Sequence, residues 1–211
     1  MKTVFVNSGH FRDDSGVVVG QYKENELCKI IRDELAKMIG EALYVPDELN
    51  LKDSIAWVKK NGWKTGDLCL DLHLNAHNNN QIRGTEVYHY NNEKIANVFA
   101  RYVSSSLDIQ NRGAIPDTNA AVGSLGWCRQ LNGLVIEICY LTNFMDRAKI
   151  TQGIWQKNAA EGIAGAIGQL QNDIPALEKQ VSLLTQLVNA LRKVLELLQI
   201  KKLLGGIFKK W

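Results

Sequence analysis

The sequence predicts an α/β domain: a mixed, mostly parallel twisted sheet flanked by helices, with an amphipathic helix added at the C-terminal end. Short apolar runs of strand length alternate with amphipathic stretches, as in a layered α/β domain. Leu134-Val135-Ile136-Glu137-Ile138-Cys139-Tyr140-Leu141 is apolar enough for a strand buried on both faces. From Leu177 a leucine heptad replaces the alternation.

Taken in order, the first strand is expected over 3–8, where Thr3-Val4-Phe5-Val6 leads into Asn7-Ser8-Gly9-His10. A helix follows over 22–39, because Leu27, Ile30, Ile31, Leu35 and Ile39 recur at helical spacing. A strand at 41–45 and a helix at 50–62 come next, then strands at 67–74 and 84–90. Helices at 92–108 and 120–131 precede a last strand at 133–140, and a helix at 151–171 closes the domain. Asn78-Asn79-Asn80 and Asp117-Thr118-Asn119 read as loops, and loops that follow strands are where such sheets bind ligands.

Asp173-Ile174-Pro175 marks a boundary between a main domain, 1–173, and an appended helix, 174–211. Proline suits the first turn of a new helix and is poor inside an old one. In the appended helix Leu177, Leu184, Leu191 and Leu198 take heptad position d, and Val181, Val188 and Leu195 take position a. That is the pattern of a two-stranded parallel coiled coil, although Leu183, Leu187, Val194 and Leu197 broaden the apolar face. The expectation is a homo-oligomer through this helix, with packing on the domain's own surface as the alternative. Gly205-Gly206 is expected to end the helix, leaving Ile207-Phe208-Lys209-Lys210-Trp211 as an aromatic, basic tip suited to an anionic membrane surface. Arg192, Lys193, Glu196, Lys201 and Lys202 deny the segment the ~20-residue apolar run of a membrane span.

The net charge of +3 is unevenly placed, since residues 175–211 hold seven bases against two acids and the rest of the chain is close to neutral. A nucleic-acid footprint over the whole chain is therefore not expected. Cys28, Cys69, Cys128 and Cys139 show no CxxC spacing and are expected to be reduced packing residues. Met1-Lys2 passes into a short apolar run with no apolar core of a signal peptide, so the protein is expected to be made in the cytoplasm.

Four residues stand where an ordinary core or surface does not put them: His10, Glu24, His73 and Glu137. His10 and His73 each follow a strand-like run, which puts both imidazoles near strand ends. Glu137 interrupts the most apolar strand, where an unpaired carboxylate costs several kcal/mol. Two imidazoles and a carboxylate make a zinc site with an open position, and a further carboxylate beside it can act as a base. Taken singly, each has a plainer reading: a hydrogen-bonded strand-end histidine, a helix-start acid favoured by the dipole, or Glu137 paired with Arg129. His77 and His89 are expected as exposed loop and strand side chains.

Read together, the blocks Ser8-Gly9-His10, Leu72-His73-Leu74-Asn75-Ala76, Gly84-Thr85-Glu86-Val87, Asn111-Arg112-Gly113 and Leu134–Asn143 resemble the zinc-dependent N-acetylmuramoyl-L-alanine amidases of the amidase 3 type, over roughly residues 2–170. Gly9, His10, Asp14 and Gly16 match the pattern around the family's first ligand, while Phe11 and Arg12 replace two glycines. The resemblance implies zinc held by His10, Glu24 and His73, with Glu26 as the competitor for the second place, and Glu137 as catalytic glutamate. Val45-Pro46 and Asn132-Gly133 depart from the family's Thr-Arg pair and its proline before the last strand. The implied reaction cleaves the amide between N-acetylmuramic acid and L-alanine in peptidoglycan. Without a signal peptide, the chain looks most like a phage endolysin, a cell-wall-degrading and antimicrobial enzyme stored in the cytoplasm until it is released to the wall; a sporulation or autolytic amidase looks the same. The alternatives are a zinc peptidase acting on stem-peptide bonds and a non-catalytic envelope-binding or membrane-perturbing protein.

Overall fold

The computed structural model describes residues 2–208, and for 173–178 and 195–208 the backbone alone. The chain divides into two compact units, Met1–Gly168 and Gln169–Trp211, five residues ahead of the expected 173/174 division.

In the first unit, β1 (Val4–Ser8) leads through a small antiparallel hairpin, β2 (Val18–Val19) and β3 (Tyr22–Lys23), into α1 (Glu24–Ala36). β4 (Ala42–Tyr44), α2 (Leu51–Lys60), β5 (Leu68–Asn75) and β6 (Thr85–His89) follow. Then come α3 (Glu93–Leu107), β7 (Asn111–Pro116), α4 (Gly126–Leu131), β8 (Leu134–Tyr140) and α5 (Phe144–Ile150). The last helix is α6 (Gly153–Phe208).

Six strands form one sheet in the order β4-β1-β5-β8-β6-β7, parallel throughout except where β6 meets β8. This is the mixed, mostly parallel sheet flanked by helices that the alternation predicts. One face changes character along its length. Near the strand starts Phe5, Cys69 and Val135 pack on Ile55 and Val58 of α2 and on Trp127 and Leu131 of α4. Side chains alternate with period two, so the next positions on that face are Asn7, Asp71 and Glu137, with His73 beyond Asp71. The apolar half anchors the sheet, and the polar half is left to build a site.

On α1 the buried positions Glu24, Leu27, Cys28, Ile31, Arg32 and Leu35 form one stripe. Arg32 is satisfied by Asp47, Asp33, Ser8 and the carbonyl of Val45. The start of α6 packs on α3 through small residues: a Cβ at Gly162 would lie 2.4 Å from Ser106 Oγ, and one at Gly165 2.9 Å from the Tyr102 ring. All four cysteines are free and buried.

Several expectations are corrected. The helix expected over 120–131 shrinks to Gly126–Leu131, because Gly123 adopts φ 81°, a conformation closed to a right-handed helix. The hairpin β2–β3, strand β7 and helix α5 were not expected: the hairpin and α5 are short, and β7 is a sheet edge with exposed and half-buried residues in place of an apolar alternation. Neither Pro175 nor Gly205-Gly206 interrupts α6, which runs as helix from Gly153 to Phe208. A proline removes one backbone bond at a cost of ~3 kcal/mol, which need not end a helix with many other turns. Lys209, Lys210 and Trp211 of the expected tip lie outside the described residues. His89, expected to be exposed, is buried, because it is register partner to Leu134 within the sheet.

Candidate metal centre and catalytic cleft

His10 leaves the end of β1 at φ 64°, a left-handed conformation that a non-glycine residue seldom adopts. This turns its imidazole back over the sheet, where Nε2 lies 3.2 Å from Glu24 Oε1. Glu24 opens α1 and is almost wholly buried. Its Oε1 also faces His73 Nδ1 at 3.0 Å and accepts from the Leu74 amide, while Oε2 accepts from the Val17 amide. Burial acts to raise the Glu24 pKa, but the two imidazoles outweigh it and hold the carboxyl well below the usual range.

One donor atom from each of His10, Glu24 and His73 lies within 4.8 Å of the others. Donors on a tetrahedral zinc with bonds of ~2.0–2.1 Å stand ~3.3 Å apart. The separations of 3.2 and 3.0 Å from Glu24 Oε1 fit that spacing. The outward nitrogens are also held: His10 Nδ1 is 2.8 Å from Asp14 Oδ2, and His73 Nε2 is 3.2 Å from Asp71 Oδ2. Asp71 in turn accepts from Asn7 Nδ2. Carboxylates behind ligand imidazoles fix the tautomer and ring plane. Asp14 and Asp71 are thus part of the arrangement, and sequence reasoning gave neither this role.

Two glycines make room for the triad. A Cβ at Gly9 would lie 2.4 Å from the His73 ring, and one at Gly16, itself at φ 63°, 2.5 Å from Glu24 Oε2 and 2.6 Å from His10 Cδ2. The competitor Glu26 is exposed and pairs with Lys23. His77 is exposed, its Nδ1 accepting from the Asn79 amide.

Glu137 lies beside the triad as register partner of His73. Its Oε2 is buried with no hydrogen-bond partner, and burial pushes its pKa up to about 7. Arg129, a partner considered for it, is instead paired with Asp117. Glu86 stands opposite Glu137 on the other neighbouring strand, β6. Both Glu86 oxygens are engaged, Oε1 by Arg112 and Tyr140 and Oε2 by Asn75 and Tyr88. Of these two carboxyls only Glu137 keeps an oxygen free for other chemistry.

His10, His73 and Glu137 share a cleft of about 310 Å³, whose far wall is apolar, with Leu49, Leu51, Leu125 and Trp127. Phe11, where the family pattern has a glycine, lines this cleft and also a second, more polar one bordered by Lys29, Asp47 and Glu48.

Residues 4–169 match the family model described as N-acetylmuramoyl-L-alanine amidase. The chain belongs to that family. Within the amidase family, LytC of Bacillus subtilis (strain 168), an N-acetylmuramoyl-L-alanine amidase, is 23% identical over 172 residues. The match takes in 77% of this chain and 34% of LytC, so it spans about a third of that relative's length. Among solved structures, the catalytic domain of the amidase CwlV from Bacillus (Paenibacillus) polymyxa var. colistinus superposes with a TM-score of 0.71 at 21% identity, over 82% of this chain and 99% of that one. The catalytic domain of the CD27L endolysin, which targets Clostridia difficile, gives 0.60 at 20% identity, over 80% and 98%. At such identities these likenesses speak for the amidase fold.

Proposed function

We propose that the chain is a zinc-dependent N-acetylmuramoyl-L-alanine amidase that hydrolyses the amide joining N-acetylmuramic acid to L-alanine in peptidoglycan. The observation that carries this reading is the side-by-side placement of a His10–Glu24–His73 donor set and a buried carboxyl, Glu137, with a free oxygen. Family membership supports the substrate class.

His10, Glu24 and His73 would hold the zinc, which when bound supplies Lewis-acid chemistry, acidifying water and polarising a carbonyl. Asp14 and Asp71 keep the two imidazoles turned so that His10 Nε2 and His73 Nδ1 face inward. Glu137 Oε2 takes a proton from the attacking water and delivers it to the departing amide nitrogen. A pKa raised by burial suits both steps, since a group that titrates near neutrality can accept and then release a proton. The apolar wall of Leu49, Leu51, Leu125 and Trp127 excludes water from one side and offers a surface to small apolar groups such as the lactyl and alanine methyls.

An endolysin-like setting, with the enzyme acting on the wall after release, is part of the same proposal. Mass spectrometry of digested peptidoglycan tests the reaction. A free lactyl group with an intact peptide beginning at L-alanine is expected. Cleavage between stem-peptide residues would make the protein a zinc peptidase, and no cleavage by the zinc-loaded protein would leave it a wall-binding protein.

A further inference from the structure

The second unit presents an apolar surface that the proposed amidase chemistry does not use. Between Val181 and Val194, seven large apolar side chains are 48% to 62% exposed: Val181, Leu183, Leu184, Leu187, Val188, Leu191 and Val194. They occupy heptad positions a, c, d and g, which at 3.6 residues per turn merge into one face about 160° wide. A two-stranded seam uses positions a and d and flanks them with charges at e and g. Here the described flanks are Gln180, Leu187 and Val194 at g, and Thr185 and Arg192 at e, with no pair of opposite charges to fix a partner helix. The opposite face carries Ser182, Gln186 and Asn189, and every charge from residue 179 to 194 is basic: Lys179, Arg192 and Lys193. In the sequence Lys201, Lys202, Lys209 and Lys210 follow, with Glu196 the one acid beyond residue 178. No helix among the described residues is long and apolar enough to cross a membrane.

We propose that this helix lies on an anionic lipid surface, its Leu/Val face sunk among the acyl chains and its basic face towards the headgroups. A broad apolar face opposite a polar one, with every charge from residue 179 to 194 basic, is the pairing that an interfacial helix needs, and charge complementarity selects anionic over zwitterionic lipid. The surface is separate from the metal centre, so the inference stands or falls independently of the amidase reading.

The test is co-sedimentation of the full chain with vesicles of phosphatidylglycerol and phosphatidylcholine, and of phosphatidylcholine alone, at low and high salt. Binding is expected to the anionic vesicles and to weaken with salt. The full chain carrying Lys179→Gln, Arg192→Gln and Lys193→Gln should bind on the order of a hundredfold more weakly, about fivefold per charge. Leu184→Gln with Leu191→Gln should also release it, with circular dichroism used to check that the helix remains. Equal binding to uncharged vesicles, or full binding by the triple variant, overturns the proposal. Failure to bind anionic vesicles while the chain sediments as an oligomer also overturns it and assigns the face to a second copy.

Discussion

His73 on β5 and Glu137 on β8 are register partners on adjacent parallel strands, so a candidate metal ligand and a carboxyl with an unpartnered oxygen stand side by side. Their spacing is set by the sheet, at ~4.8 Å between strands, and not by a loop. Glu86 is the next partner in the same row, and its Arg112, Tyr140, Asn75 and Tyr88 contacts hold it in place behind Glu137. The proposed reaction thus uses a row of three strands whose side chains are fixed before substrate arrives.

The first prediction is about one zinc per chain by elemental analysis, lost in His73→Ala. Asp71→Asn, which meets His73 at its outer nitrogen and can still bond Asn7, should keep the fold and weaken zinc about 10–100-fold in a chelator competition. Undiminished zinc in His73→Ala would place the metal elsewhere.

Glu137→Gln should keep zinc and fold while turnover falls ~10²–10⁴-fold, since an amide of nearly the same shape cannot accept a proton. Glu86→Gln is the comparison. Its neighbours already occupy both oxygens, so the main expected effect is on stability, read as a lower Tm. Wild-type rates in Glu137→Gln combined with loss in Glu86→Gln would exchange the two roles.

How much of this was legible beforehand depends on what kind of signal each residue leaves. The long strands and their order along the chain come from apolar runs, and a polar residue inside such a run, as at Glu137, is visible because it breaks the pattern. Glu24 was separable from Glu26 because Leu27, Ile31 and Leu35 share its stripe, and the structure buries that stripe. Asp14 and Asp71 were not assigned, since an acid near a turn or strand looks ordinary until an imidazole is placed beside it. At Pro175 the helix runs on where a break was expected, because one lost backbone bond is outweighed by the turns on either side. His89 misled because its strand turned out to pair on both sides.

In metal-free protein, Glu137 should make stability fall as pH rises. Its folded pKa of about 7 lies above the ordinary glutamate value of 4.5, so the folded state favours the protonated form. That contribution is fully present below about 4.5 and is lost as pH rises through about 7. Glu137→Gln has no such group to ionise, so its Tm in chelator should fall less between pH 5 and 8 than the wild type's, and should exceed it at the upper end. Parallel Tm profiles for the two proteins would mean that the carboxyl is not desolvated.

The last prediction separates backbone strain from crowding at the metal centre. Gly16 and Gly20 adopt nearly the same left-handed φ, 63° and 61°, but a Cβ at Gly16 would meet Glu24 and His10 whereas one at Gly20 meets nothing within 4 Å. Alanine at either position costs ~1–2 kcal/mol of backbone strain, so Gly20→Ala should lower Tm by that strain alone in the metal-free state and Gly16→Ala by at least as much. Only Gly16→Ala should displace ligand atoms, weakening zinc on the order of tenfold or more, comparable to the loss of an orienting partner. Gly20→Ala should bind zinc as the wild type does. Equal zinc affinity in the two variants would show that Gly16 is required for its backbone conformation alone and that the cradle around His10 and Glu24 has room to spare.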